Sequence, residues 1–342
     1  MIDARSPSPA RKPPAQATRH ARVAAGLAEL ERWLADQIRL GLGQAGDREC
    51  DELAKRLIDA QASGPAAVAS RLPAVRAGAS WPEALLGEYA LLALLAVAYR
   101  RREALPAPLA QTVLTRVGFT TSRESVLAAG ARVRDRWLVL GVRDEVLDQV
   151  TGRHVWLRGC GTSRAAVLLT YTPHGQALAA APVAGSDMDA TLAFYPGAAP
   201  LRALVVPSPE AGPVTGPPSP EAGPGDEAEA GVPGAPVGTA PAGFSSPVGL
   251  SPVAAGSVDD ALAEVAEAVA ADPWTDSWPL LLAGVVPERT TLGGLPLHPA
   301  CVEPWRLIAV SGGEAVTVAV EWTPQGLRPL TVWDDEGRAV VL

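Results

Sequence analysis

The sequence predicts an α+β protein: an N-terminal all-helical domain, then an antiparallel β-rich region with one inserted helix and a disordered Pro/Gly/Ala linker. Three observations carry this. Apolar residues recur at spacings of three and four up to about residue 130, the period of a helix face. From Trp137 onward the runs are short, β-branched and bounded by turns. Between 207 and 256 neither period survives. The boundaries that follow are a disordered basic tail at 1–20, a helical domain at 21–130, an antiparallel β domain at 131–206, a low-complexity linker at 207–256, and a helix plus β segment at 257–342, expected to pack with 131–206.

Val23, Leu27, Leu30, Leu34 and Ile38 draw the stripe of a first helix, with Arg32 and Asp36 placed to pair across one turn and Gly41 and Gly43 at its end. Cys50, Leu53, Leu57 and Ile58 mark a second helix, stopped by Ser63-Gly64-Pro65; Val68, Leu72 and Val75 suggest a short third. Ser80 with Glu83 reads as a capping box, and Pro82 falls in the first turn, where a missing N–H costs little. This fourth helix, to about Arg102, is apolar almost all round and should be central; its Arg100-Arg101-Arg102 end suits the negative end of the helix dipole. Its apolar core, Ala84 to Tyr99, contains Glu88 and falls short of the ~20 apolar residues of a membrane span. Leu109–Arg116 gives a fifth helix, and Thr121 with Glu124 caps a sixth.

"WLVLGV", "HVWLR", "AAVLLTYT" and "ATLAFYP" then follow as strands of an antiparallel meander. Asp144, Glu145 and Asp148 lie between the first two and read as a solvated hairpin link; as a calcium site they lack the D-x-D-x-D-G pattern. "PSPEAGP" occurs twice in the linker, which buries too little apolar area to offset its chain entropy. Val258, Leu262, Val265 and Val269 give the inserted helix, stopped at Asp272-Pro273. "WPLLLAGVV", "WRLIAV", "AVTVAVEW", "LRPLTVWD" and "RAVVL" are the second set of strands. Ser311–Glu314 is expected to be a hairpin, and Thr317, Ala319 and Glu321 the open face of the strand after it.

The net charge of −8 gives no basic footprint for nucleic acid; only Arg5, Arg11, Lys12, Arg19 and Arg22 make a locally basic stretch. Cys50, Cys160 and Cys301 are too few and scattered for a disulfide framework, which fits a reducing, cytoplasmic setting. The first twenty residues have no apolar core and are no signal peptide.

No motif selects a reaction. "GLGQAG" at Gly41–Gly46 has dinucleotide-loop spacing, but a helix precedes it where a strand is required, so its glycines read as helix terminators. Neither Lys12 nor Lys55 follows a Gly, which removes a Walker A loop. His154, His174 and His298 could each serve a triad, and nothing in their spacing selects one. His154 with Cys160, or His298 with Cys301, is at most half a metal site. Catalytic, cofactor-binding and metal-ligating residues are therefore each expected to be none.

Residues 21–42, 88–100, 132–141, 155–159, 194–205, 272–282 and 304–334, including "EYALLALLAVAYR", "FYPGAAPLRALV" and "DPWTDSWPLLL", resemble the long C-terminal region of bacterial, actinobacterial-type SWIM zinc finger family proteins. The resemblance implies a zinc module, C-x-C…C-x-H, ahead of this region, and an association with MoxR-type AAA ATPases or von Willebrand A-domain proteins. This chain has no C-x-C and no C-x-H, so zinc is implied by the family alone. Either the module is lost, or the chain starts downstream of the true start. The function expected is that of a non-catalytic interaction or adaptor protein. Nucleic-acid binding, through the family's module or the basic tail, is the first alternative, and a cryptic hydrolase the second.

Overall fold

A computed structural model of the chain describes residues 15–342, except 45, 79, 148–149, 174, 177, 179, 208–254, 302–303 and 335. The chain divides after Thr121 into two compact units.

The first unit is helical. Helix α1 spans Ala15–Leu40 and buries Val23, Leu27, Leu30 and Leu34, the stripe its spacing predicts. It starts inside the expected tail. Residues 15–20 are held because His20 stacks on Phe119 at 4.6 Å and the Arg19 guanidinium lies 4.2 Å from the same ring. The rest of that tail, residues 1–14, lies outside the described residues. Asp36 pairs with Arg39 one turn on, and Arg32 instead donates to the Ala28 carbonyl. Gly41, with φ at +107°, ends α1 by donating to the Gln37 carbonyl at 2.9 Å.

Helices α2 (Asp47–Asp59) and α3 (Ser63–Val75) follow. Ser63-Gly64-Pro65 does not simply stop α2; it forms the first turn of α3, where Pro65 needs no intrahelical N–H partner. Gly64 is required there, because a Cβ would overlap the Arg116 carbonyl oxygen. Helix α4 (Trp81–Arg100) buries Leu85, Tyr89, Leu92, Leu95, Ala96 and Tyr99 on one side. The expected capping box at its start is not made: the Ser80 side chain accepts no cap hydrogen bond. Helix α5 (Ala107–Val117) closes the unit.

The second unit opens with helix α6 (Arg123–Ala129), capped by Ser122, whose hydroxyl accepts from Ser125 N at 3.2 Å, rather than by Thr121. Strand β1 (Ala131–Leu147) is long because it has two partners in turn. Its first half pairs with β4 (Asp187–Phe194) and its second with β2 (Val150–Gly159). Strands β3 (Ala165–Pro173) and β5 (Arg202–Val205) complete a closed barrel in the order β1-β2-β3-β5-β4. The meander expected from the sequence holds through β3. It then changes, since β5 inserts parallel to β3, with Val167 opposite Arg202. Trp137, Val155, Leu157, Met188, Leu192 and Phe194 fill the barrel.

The chain re-enters the described residues at Ala255, and Gly256 bridges Leu282. The expected 207–256 linker falls almost wholly outside them. Helix α7 (Val258–Ala271) starts with a capping box between Ser257 and Asp260. Strands β6 (Trp278–Val285), β7 (Thr291–Leu292) and β8 (Leu295–Pro296) come next. "WRLIAV" is not a strand. It is helix α8 (Trp305–Ser311), ended by Gly312 at φ +59°, and so Ser311–Glu314 is no hairpin. Strands β9 (Val316–Thr323), β10 (Gly326–Trp333) and β11 (Ala339–Val341) complete an antiparallel sheet in the order β11-β10-β9-β6.

One face of this sheet packs on α7 and α8; the other packs on the barrel. Leu138, Leu140, Trp156 and Val167 meet Leu281, Ala319, Leu330 and Trp333. Gly141 makes the approach close: a Cβ there would stand 2.7 Å from that of Leu330. The α+β class, a helical bundle followed by antiparallel β structure with a helix, is thus the fold observed.

Candidate functional site

The residues singled out in the sequence are dispersed by the fold. Asp144 and Glu145 are inside β1, not in a link, and Asp148 lies outside the described residues. Asp144 faces Arg153 across the β1–β2 ladder and takes two hydrogen bonds from its guanidinium, both at 2.7 Å. That pairing holds the Asp144 carboxyl below the usual carboxylate range. Asp144 is therefore half of a cross-strand ion pair, and Glu145 stands opposite Gly152 on the same ladder.

His154 is in the middle of β2 and Cys160 just past its end, six residues apart, or about 20 Å of extended chain, too far to share a metal ion. His298 and Cys301 are close, with Cys301 N donating to the His298 carbonyl at 2.7 Å. Among the described residues no group of three or more His, Cys, Asp or Glu is placed to hold a metal ion. His174 lies outside those residues. Gly41–Gly46 joins two helices, so no strand end presents it to a dinucleotide.

What the fold does assemble is a polar cluster where β1 crosses the sheet. Glu321 on β9 is 2% exposed, not solvent-facing as its alternation predicts, because the barrel covers that side. Its carboxylate takes Arg143 from β1 through both oxygens, one of them at 3.0 Å, and Arg328 from β10 at 3.6 Å. A further Arg328 nitrogen lies 2.8 Å from His298 Nε2, and Ala300 N donates to His298 Nδ1 at 3.0 Å. His154 faces Arg143 across the ladder and stacks on Trp156 with ring centroids 5.8 Å apart. Its Nδ1 is buried with no hydrogen-bond partner among the described residues.

Burial, then Arg143, pushes the His154 imidazole below its ordinary value; burial, then Arg328 and Arg143, does the same to His298. Both rings are thus kept neutral beside two guanidiniums. The contacts that hold the two rings are the Arg328 guanidinium and Ala300 N on His298 and the Trp156 ring against His154. Its chemistry is that of a buried ion lock. The Arg143–Glu321 pair spans 178 residues of sequence, and no local pattern announces it.

A second feature is on the surface of the helical unit. The side of α4 away from the bundle is apolar and open: Leu86 is 48% exposed, Leu91 36% and Leu94 42%, beside exposed Gly87 and Ala90. Val97 and Ala98 continue the arc half-buried; Glu83 and Arg101 stand exposed at its two ends. Neither forms an ion pair among the described residues. By length and composition alone α4 is long and apolar enough to cross a membrane, but its inner side is bundle core.

The helical unit is joined in sequence to a barrel and an antiparallel sheet. Residues 18–117 match the family described as the SWIM-associated four-helix bundle domain, a likeness confined to the helical unit. The match takes in the resembling stretches at 21–42 and 88–100 and stops before the β unit. No curated protein and no solved structure matches the chain.

Proposed function

We propose that this chain is a non-catalytic interaction protein of the SWIM zinc finger family, acting as a cytoplasmic adaptor through its helical domain. The open apolar arc of α4 carries the reading. Leu86, Leu91 and Leu94 stand together on one exposed side of α4, and exposed leucines gathered in a patch, rather than scattered singly, mark a contact face. That the arc lies within the SWIM-associated domain supports placing the interaction there. The MoxR-type AAA ATPases and von Willebrand A-domain proteins implied by the resemblance are the first partners to assay.

The test is affinity capture on the full chain, wild type against Leu94→Asp. A protein held by the first and released by the second supports the reading. Identical captures from the two, or none from either, with a wild type that also stays monomeric, would sink it.

A further inference from the structure

We infer that the arc on α4 is a contact between two copies of this chain, laid antiparallel about a two-fold axis level with Leu92. The inference rests on the reading of the arc as a protein-binding face and names its occupant. In a symmetric antiparallel pair, positions equidistant from the axis on either side stand level with each other across the contact. Glu83 and Arg101 are both nine residues from Leu92. An acidic end of one copy therefore meets a basic end of the other, twice over. A parallel pair would set Glu83 against Glu83 and Arg101 against Arg101.

The interior of the arc obeys the same symmetry in size. Ala90 and Leu94 are each two residues from Leu92, Gly87 and Val97 five, Leu86 and Ala98 six. Leu91, one residue from Leu92, is level with Ala93, so every large side chain of one copy is level with a small one of the other. Ridges thus find gaps along the whole contact, as close helix packing requires.

The arc is about 27 Å long at 1.5 Å per residue and about 10 Å wide, on the order of 270 Å² per copy. Stable interfaces bury roughly 800 Å² per partner. The dimer is accordingly expected to be weak and concentration-dependent.

Sedimentation equilibrium on the full chain, from about 10 to 500 µM, reads the association directly. The wild type should fit a monomer–dimer equilibrium, and Leu94→Asp should weaken it about tenfold or more. Glu83→Arg or Arg101→Glu alone sets like charges at both ends of the pair, and should weaken it several-fold; the double variant E83R/R101E should restore the wild-type constant. These positions are exposed, so circular dichroism should show the fold unchanged in each variant.

A wild type that stays monomeric throughout overturns the inference. So does a double variant as weak as the singles, or a monomer that binds anionic phosphatidylglycerol vesicles through Leu94. A monomeric wild type that still captures another protein through Leu94 overturns the second copy but leaves the protein-binding face standing. If Leu94→Asp alters neither association nor capture, both fail.

Discussion

Arg158 on β2 holds Glu264 on α7 through two guanidinium nitrogens, at 2.6 and 2.7 Å, and the Trp278 indole N–H donates to the same carboxylate at 2.8 Å. One acidic side chain on a helix thereby fixes the barrel and the first strand of the sheet. Arg158 is only 9% exposed, so a missing partner leaves a charge out of water. Glu264→Ala should cost the β unit about 3 kcal/mol in urea unfolding, and Glu264→Gln, which keeps one acceptor, roughly half as much. Equal losses would show that the charge is not what matters.

The barrel and the sheet approach closely only because position 141 has no side chain. Gly141→Ala should therefore lower stability by about 1–3 kcal/mol. Leu330→Gly in the same chain removes the three Leu330 atoms a new Cβ would meet, the Cβ at 2.7 Å included, so the two losses should not add. A double-mutant cycle measured by thermal unfolding checks this; strict additivity would refute the contact as the cause.

Gly64 has no such escape. Its neighbour is the Arg116 backbone carbonyl, which cannot rotate away. Gly64→Ala should force α3 from α5 and destabilise the helical unit by more than about 2 kcal/mol, despite alanine's better helix propensity. Circular dichroism melting of the variant would show the loss, or contradict it.

Both imidazoles of the Arg143–Glu321–Arg328 cluster are held below the ordinary value of 6.5, by burial first and then by the nearby guanidiniums. The unfolded chain therefore binds more protons than the folded one as pH falls through 6.5. Stability is full above that pH and is lost on acidification toward the lowered folded-state values. The melting temperature of the β unit should fall between about pH 7.5 and 5.5, and His154→Gln should flatten that dependence while changing little at pH 7.5. A slope the variant leaves untouched would clear His154 of the effect.

The helical stripe was open to reading because it is local. Val23, Leu27, Leu30 and Leu34 share a face by geometry alone, and all four are buried. Ile38, on the same stripe, is 52% exposed, and the adjacent Gln37 is buried in its stead. The class and the order of elements follow from such periods.

Where a run is apolar throughout, the period decides nothing. Trp305 to Val310 became a helix because a Pro precedes it and a left-handed Gly ends it, signals that also suit a strand between turns. Asp144 and Glu145 looked like a turn for their charge. The far end of β1 is solvated, so charge there is compatible with a ladder, and Arg153 opposite makes it favourable.

The cluster around Glu321 was beyond reach. Its alternation with Val320 and Trp322 correctly makes it a strand residue, but only the barrel laid over that face turns an outward carboxylate into a buried one. The parallel β3–β5 pairing is equally silent, since it depends on where the chain returns, not on what either strand contains. The open arc of α4 was half legible. A helix apolar on every side was read as central; that only one side finds core is a property of the assembled bundle.

Leu138, Leu140, Trp156 and Val167 come from the chain before residue 208, and Leu281, Ala319, Leu330 and Trp333 from the chain after residue 254, yet they form one buried layer. Covalent continuity between them is not what joins the barrel to the sheet. Residues 1–207 and 255–342 supplied as separate polypeptides should find each other and rebuild the same layer, quenching the fluorescence of Trp156 and Trp333 as they do. The β unit is, in effect, already a complementation pair, with its break point set by the packing rather than by an engineer.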